Sequence, residues 1–361
     1  MSLNHRDMTG NKARINLCYN IHDLITFQIN CANSIEFIKD INQPLSFFKV
    51  DRIRKPDIIL NIGKFTPDKR SCDVINNKIY IKKNYIYCSE IIDKTKIHCE
   101  IANLESIPTI INFCVDTKKM THRLFPLLMA QNLVLRPLID FKLLQKDIIS
   151  IHAAGVANGN KAIIMAGRGG AFKTTLTMEL IRKSGFQFIG EDRLLLGKEN
   201  LVFAFPIYQK LFAYRLNKMK TEKFDLVSKL KFIFFDININ SNKEYIKNVS
   251  HLWKFFSIVK HTKENIDYKT VSKNDLITKI RLSQQIENIS VPGILKMSSG
   301  IMYEYFAAYS FKFPFSEIAS YWQNYEKILC KRLAAPNYLE IYIPSEYSRK
   351  TYDAVLELIR Q

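Results

Sequence analysis

Apolar and polar positions alternate with two different periods along this chain. From Leu24 to Asp116 the apolar residues fall in short runs: LITFQINC, LSFFKV, DIILNIGKF, KIYIKKNYIYC, KIHCEIANL and TIINFCVD. These runs are rich in Ile, Phe, Tyr and Val and are separated by turn residues, which predicts strands. Lys78 to Tyr87 alternates polar with apolar, as a half-exposed antiparallel sheet requires, because successive strand side chains point to opposite faces. SIEFIKDI, residues 34–41, reads as a short helix, and residues 1–14 as a loose polar tail. The expectation is a β-rich domain over residues 1–120. It carries no catalytic constellation, so its default role is support, with substrate docking or partner contact as alternatives.

The period then lengthens. Residues 121–146, THRLFPLLMAQNLVLRPLIDFKLLQK, are dense in leucine and predict a connecting helix within 121–150, with breaks where Pro126 and Pro137 remove a backbone donor. His122 and Arg123 at its start read as a solvated pair or as functional residues.

A second domain is expected over residues 151–361. KAIIMA, residues 161–166, is an apolar run of the kind that forms a buried strand. Gly167-Arg168-Gly169-Gly170 follows, where tight turns and close backbone approach are possible. TTLTMELIRK then places Leu176, Leu180 and Ile181 at helical spacing, with Arg182 and Lys183 in the last turn and Gly185 as the stop. FQFIG is a second strand, and Glu191 and Asp192 sit at its carboxyl end.

That order of elements suits phosphate. Amides at a loop leading into a helix N-terminus converge on one spot, and the helix dipole adds positive potential there. The loop runs Gly167, Arg168, Gly169, Gly170, Ala171, Phe172, Lys173, Thr174 and Thr175. It follows the G-x-x-x-x-G-K-[ST] pattern except that Phe172 stands where the second glycine is usual. Lys173 is placed to reach the β- and γ-phosphates, Thr174 or Thr175 to put a hydroxyl on Mg²⁺, and Asp192 to hold the same ion through water. A left-handed backbone at Phe172 costs about 1–2 kcal/mol. The bland alternative is an ordinary glycine-rich turn between strand and helix.

Farther on, Arg215 is either a charge-stabilising residue or a surface arginine. Residues 217–283 are rich in Lys and Asn, with apolar patches FIFFDI and LWKFFSIV between them that argue against a simple disordered tail; they are expected to form a basic insertion or lid facing substrate, or a variable solvated region. Residues 284–333 read as helical, interrupted at Val291-Pro292-Gly293 and near Pro314. NYLEIYIP predicts a last strand, and SEYSRKTYDAVLELIR a last helix with Ser345 as its cap.

Composition adds bounds. At 361 residues, with 47% hydrophobic and 24% charged positions, the chain is globular and long enough for a sizeable core. The net charge of +19 favours an anionic partner, or reflects a lysine-, asparagine- and isoleucine-rich compositional bias. The seven cysteines are odd in number, lack a C-x-x-C and lie in apolar runs, as reduced thiols of a cytoplasmic protein do. The N-terminus lacks the apolar core of a signal peptide. The longest apolar stretch, 124–144, is broken by Arg136, Pro137, Asp140 and Lys142, so no membrane span is expected.

Residues 151–196 resemble the core of the HPr kinase/phosphorylase family of small P-loop kinases. His152 opens a strand as I-H-A-A-G-V, the phosphate loop follows, and Glu191-Asp192 falls where the family has a pair of aspartates. The resemblance implies an α/β fold, α+β overall, with a P-loop core of the HPr kinase and phosphoenolpyruvate carboxykinase type. It implies transfer of the ATP γ-phosphate, with Mg²⁺, to a hydroxyl, often that of a serine. Carried over by position, Glu191 is the catalytic base, Asp192 assists the metal, and His152 lies beside Glu191. Family members often assemble as homo-oligomers. Phe172 and Glu191 depart from the family pattern, and no copy of its substrate-recognition loop follows the acid pair. The acceptor therefore stays open among protein, peptide and small molecule. Two alternatives stand beside the kinase: a nucleotide-binding switch without phosphoryl transfer, and a basic scaffold for nucleic acid or another polyanion.

Overall fold

The computed structural model describes residues 15–31, 45–92, 94–118, 126–207, 245–290, 300–335 and 337–361, the side chains of 287–290 excepted. The tail 1–14, the SIEFIKDI segment, His122, Arg123, Arg215, residues 217–244 and Val291-Pro292-Gly293 lie outside the described residues. The architecture is mixed α/β with two large sheets, one in each of two compact units. The first unit comprises residues 1–42 and 48–131, the second 43–47 and 132–361. No helix among the described residues is long and apolar enough to cross a membrane.

The first unit is a nine-stranded sheet. Its strands are β1 (Ile15–Ile21), β2 (Ile25–Cys31), β3 (Lys49–Val50), β4 (Ile58–Ile62), β5 (Asp73–Ile75), β6 (Ile79–Lys82), β7 (Tyr85–Ile92), β8 (Thr95–Ala102) and β9 (Thr109–Asp116). They run in the order β3-β1-β2-β4-β9-β8-β7-β6-β5, with β2, β4 and β9 mutually parallel and the other neighbours antiparallel. The period-two pattern is visible in burial. In β2, Ile25, Phe27, Ile29 and Cys31 are buried while Gln28 and Asn30 stay half-exposed. The half-exposed face carries an amide ladder. Asn30 donates to Asn61 at 2.8 Å, Asn61 to Asn112 at 2.9 Å, and Asn112 to Glu100 at 2.6 Å. Burial pushes the Cys31 thiol up to about 11, as expected of an inert thiol packed among apolar side chains.

The leucine-rich stretch contains α1 (Pro126–Ala130), a π-helical turn at Gln131–Leu135, and α2 (Arg136–Gln145). Pro126 opens a helix instead of breaking one, because the first helical N–H has no acceptor to lose. Pro137 lies in the first turn of α2 directly after the π turn, where its missing donor is absorbed by the widened backbone.

The second unit contains β10 (Ile149–Ile151), β11 (Ala153–Asn158), β12 (Lys161–Gly167), α3 (Lys173–Ser184), β13 (Gln187–Gly190), β14 (Leu194–Leu196), β15 (Leu201–Ala204), β16 (Val249–His261), β17 (Asp267–Thr270), α4 (Lys273–Ser290), α5 (Gly300–Lys312), α6 (Tyr321–Arg332), β18 (Asn337–Pro344) and α7 (Arg349–Arg360). Its sheet runs β10-β14-β15-β16-β12-β11-β13, with β18 beside β16 and β17 beside β18. Residues 249–261, within the span expected to be a basic insertion, are instead β16, the long strand parallel to both β12 and β18. Phe255 and Phe256 are fully buried there, and that burial outweighs the basic character of the surrounding sequence. The core under α3 and α7 gathers Ile163, Met165, Leu176, Leu180, Ile341, Val355 and Leu358.

Gly185 ends α3 in the left-handed region, φ 68°, with its N–H on the Leu180 carbonyl. The N-cap of α7 is Ser348, in extended conformation, and not Ser345. Strand β18 runs to Pro344, and the turn after it takes up Ser345 before helical geometry begins.

Candidate functional site

One edge of the second sheet collects the sequence-derived candidates. Strands β12, β16 and β18 are parallel, and β13 is parallel to β12 because each pairs antiparallel with β11 between them. Their carboxyl ends therefore share an edge, the place where open α/β sheets bind ligands. The loop Arg168–Phe172 leaves β12 at this edge, and Glu191 and Asp192 leave β13 there. His152 precedes β11, whose first residue Ala153 pairs with Ala166 at the end of β12, so it reaches the same edge from the antiparallel strand.

Each loop residue has a local reason for its form. A Cβ on Gly167 would lie 2.5 Å from the Ile258 carbonyl oxygen of β16, so only glycine fits against that strand. Gly170 has φ 83°. Arg168, Gly169 and Gly170 are exposed, and Ala171 is buried. Phe172 takes φ 55° and ψ 15° at the N-cap of α3, the left-handed geometry for which a glycine is usual here. Its ring meets Tyr347 edge-on, with centroids 5.3 Å apart, and lies under the Lys260 ammonium at 4.3 Å. Tyr347 in turn donates to Glu179 of α3. The phenylalanine is thus braced against β16, α3 and the segment before α7.

Lys173, 8% exposed, folds back over the loop: its Nζ donates to the Gly167 carbonyl at 2.5 Å and the Arg168 carbonyl at 3.3 Å. A buried ammonium at the loop, next to the first-turn amides of α3, makes this spot electropositive. Thr174 and Thr175 are half-buried in the first turn of α3.

The acid that His152 meets is Asp192. His152 Nδ1 lies 3.2 Å from Asp192 Oδ1, and Arg136 Nη2 donates to Asp192 Oδ2 at 3.0 Å. The expectation set His152 beside Glu191, the neighbouring member of the same acid pair. Burial opposes ionisation of Asp192, but the His152 hydrogen bond and the charges of Arg136, His152 and Arg193 outweigh it. They hold the carboxyl well below the usual carboxylate range. The Asp192 side chain keeps 43% exposure, so the carboxylate stays reachable from the edge. Glu191, one residue ahead, is half-buried. Behind the site, Arg193 is paired with Asp140 and donates to Ser150 Oγ at 3.3 Å, which fixes the turn after β13.

Among the described residues no cluster of three or more His, Cys, Asp or Glu forms a metal cage. What exists is one carboxylate held ionised, with Thr174 and Thr175 in the first turn of α3 at the same edge. That donor set suits Mg²⁺, which keeps several waters and is bound through one or two carboxylates together with substrate phosphates.

Sequence reasoning missed Arg136 and Gln284. Gln284 of α4, 3% exposed, accepts from the His152 backbone N–H at 3.0 Å. The signal for Arg136 was present: an arginine inside a leucine-rich helix needs an acidic partner once buried. Nothing in the sequence marks Gln284.

No family model and no curated protein matches this sequence. Among solved structures, the chain is similar to the HPr(Ser) kinase/phosphatase from Coxiella burnetii at 13% identity. That match covers 58% of this chain and 88% of the other, with a TM-score of 0.27.

Proposed function

We propose that this chain is an ATP- and Mg²⁺-dependent kinase that transfers the γ-phosphate to a hydroxyl. One observation carries the reading: a buried lysine ammonium and a helix N-terminus lie at the same sheet edge as a carboxylate held ionised. MgATP supplies the phosphoryl group and the metal charge. Lys173 exchanges its loop carbonyls for the β- and γ-phosphate oxygens, and the amides of Arg168–Lys173 complete the cradle. Asp192, oriented by Arg136 and His152, would hold the metal, which would supply charge neutralisation there. Glu191 takes the proton from the acceptor hydroxyl as that oxygen attacks. Catalysis is then mostly positioning and charge neutralisation.

The alternative, a nucleotide-binding switch without transfer, draws on Phe172. Its ring links the loop to Lys260 and Tyr347, so a change in loop conformation is felt in β16 and beside α7. Calorimetry with MgATP on the wild type and Lys173→Ala tests the shared premise: wild-type binding lost in the variant is expected. Wild-type protein that ignores MgATP would refute both readings. Label passing from γ-labelled ATP to a hydroxyl acceptor supports the kinase, and binding without any transfer supports the switch.

A further inference from the structure

Beside the phosphate loop the second unit holds a cleft of about 460 Å³, within the range of roughly 300–1,000 Å³ usual for small-molecule sites. Its position follows from strand register. Ala166 of β12 pairs with Ser257 of β16, Ser257 with Glu340 of β18, and Glu340 with Lys269 of β17. One row thus crosses from the loop strand to a charged cluster. Neighbouring strands are about 4.8 Å apart, so the cluster lies about 10 Å from β12. Helix α4 lines the cleft with Leu276, Lys279, Ile280, Ser283 and Ile286, residues at the three- and four-residue spacing of one helix face. Gly167, Arg168 and His152 line the loop end.

The charged end has an unusual balance. Glu340 is 2% exposed and accepts from Lys279 on one oxygen. On its other oxygen it meets Lys269 at 3.3 Å and Tyr342 Oη at 2.6 Å. Two ammoniums against one carboxylate leave a surplus of one positive charge. Each ammonium has three donors; Glu340 takes one from each and Tyr342 a further one from Lys269, while Lys269 and Lys279 keep 59% and 45% exposure. The Ser283 hydroxyl, at the cleft wall, has no hydrogen-bond partner among the described residues. Between the two polar ends the walls are aliphatic: Val259, Leu276, Ile280 and Ile286.

We propose that this cleft binds the phosphate acceptor, a small molecule with an aliphatic body, a carboxylate at one end and a hydroxyl at the other. The inference rests on the kinase reading for the word acceptor; the binding site itself does not. The carboxylate sits on Lys269 and Lys279, whose single surplus charge matches a monoanion. The body lies along Val259 and α4, and the hydroxyl is delivered to the loop end, where Glu191 accepts its proton and the γ-phosphorus its oxygen, ADP leaving.

ω-Hydroxyoctanoate, extended, spans that separation and serves as the probe, with 1-octanol and the methyl ester of the hydroxy acid as uncharged controls. Calorimetry without nucleotide is expected to show wild-type binding of the hydroxy acid. Binding weakens about tenfold or more in Lys279→Met and in Ile286→Asp, whose side chain is 44% exposed and tolerates the change without unfolding. Absence of wild-type binding, equal binding of 1-octanol, or affinity unmoved by both substitutions overturns the proposal. Hydroxy-acid binding in a protein that ignores MgATP would leave the cleft standing and remove the kinase reading alone.

Discussion

Phe172→Gly restores the residue usual before a phosphate-loop lysine, and the surroundings of Phe172 say that the restoration destabilises the protein. Left-handed geometry at φ 55° costs a non-glycine residue about 1–2 kcal/mol. Glycine returns roughly 0.5–1 kcal/mol of that through its larger unfolded-state freedom. The backbone alone therefore favours glycine by about 1 kcal/mol. Against this stand three losses. The edge-on pair with Tyr347 at 5.3 Å is worth about 0.5–1.5 kcal/mol. The Lys260 ammonium over the ring at 4.3 Å adds about 0.5–1 kcal/mol at an exposed site. Partial burial against the α3 core contributes about 1 kcal/mol, half or less of a fully buried phenylalanine. The side chain thus outweighs the strain, and Phe172→Gly is expected to lose about 1–2 kcal/mol, a few degrees of Tm in a unit of this size. Urea unfolding of the two proteins measures the loss. A double-mutant cycle with Lys260→Ala is expected to return a coupling of about 0.5–1 kcal/mol. A glycine variant more stable than the wild type would refute the reasoning, because strain would then exceed everything the ring does.

Two further outcomes follow from charge. Removing Arg136 by Arg136→Ala raises the pH midpoint of the Asp192 carboxyl, read by carbon-13 NMR, because one of the charges holding it down is gone. The stability change stays small, since Asp192 is partly exposed and such pairs contribute under about 1 kcal/mol. An unmoved Asp192 midpoint refutes the assignment. Acid stability depends on Glu340. Burial opposes its ionisation, but Lys279, Tyr342 and Lys269 outweigh it and lower its pKa. A depressed carboxylate contributes stability that is fully present above its unfolded value of about 4.3 and is lost as pH falls through the folded value. Urea midpoints are therefore expected to fall below about pH 4, and to fall less steeply in Glu340→Gln; equal steepness in both proteins would contradict this.

The parts legible in the sequence are those whose causes are local. KAIIMA becomes β12, the Leu176–Leu180 spacing becomes α3, and Gly185 ends it. The strand runs of the first unit are legible for the same reason, except β1 and the three-residue β5. Strand β1 pairs with β2 through a turn in which His22 and Asp23 both have positive φ. Such turns ordinarily advertise themselves with Asn-Gly or Asp-Gly, and His-Asp hides the hairpin. Strand β16 was legible only as the apolar patch LWKFFSIV inside a basic stretch. Its partners are residues 161–167 and 337–344, so what makes it central is long-range pairing that no window of local sequence contains, while its basic flanks argue for an exposed insertion. The Arg136–Asp192 pair likewise joins residues 56 apart.

Glycine content alone turns out to be a poor guide to the phosphate loop. Gly167 is required because β16 passes within 2.5 Å of where its Cβ would stand, a packing need independent of any ligand. Phe172 shows the converse: the left-handed position survives without glycine, because Tyr347 and Lys260 support the ring. Neither residue separates a phosphate cradle from a tight turn. Lys173 and Asp192 do. Burying an ammonium on two carbonyls, and holding a partly exposed carboxylate ionised with an arginine and a histidine hydrogen bond, contributes little to folding that apolar residues would not contribute better. Side chains that costly at one sheet edge are more readily explained by a ligand than by stability, and Lys173→Met separates the two. A folding role makes the variant less stable; a binding role leaves it folded, about as stable as the wild type, and blind to MgATP.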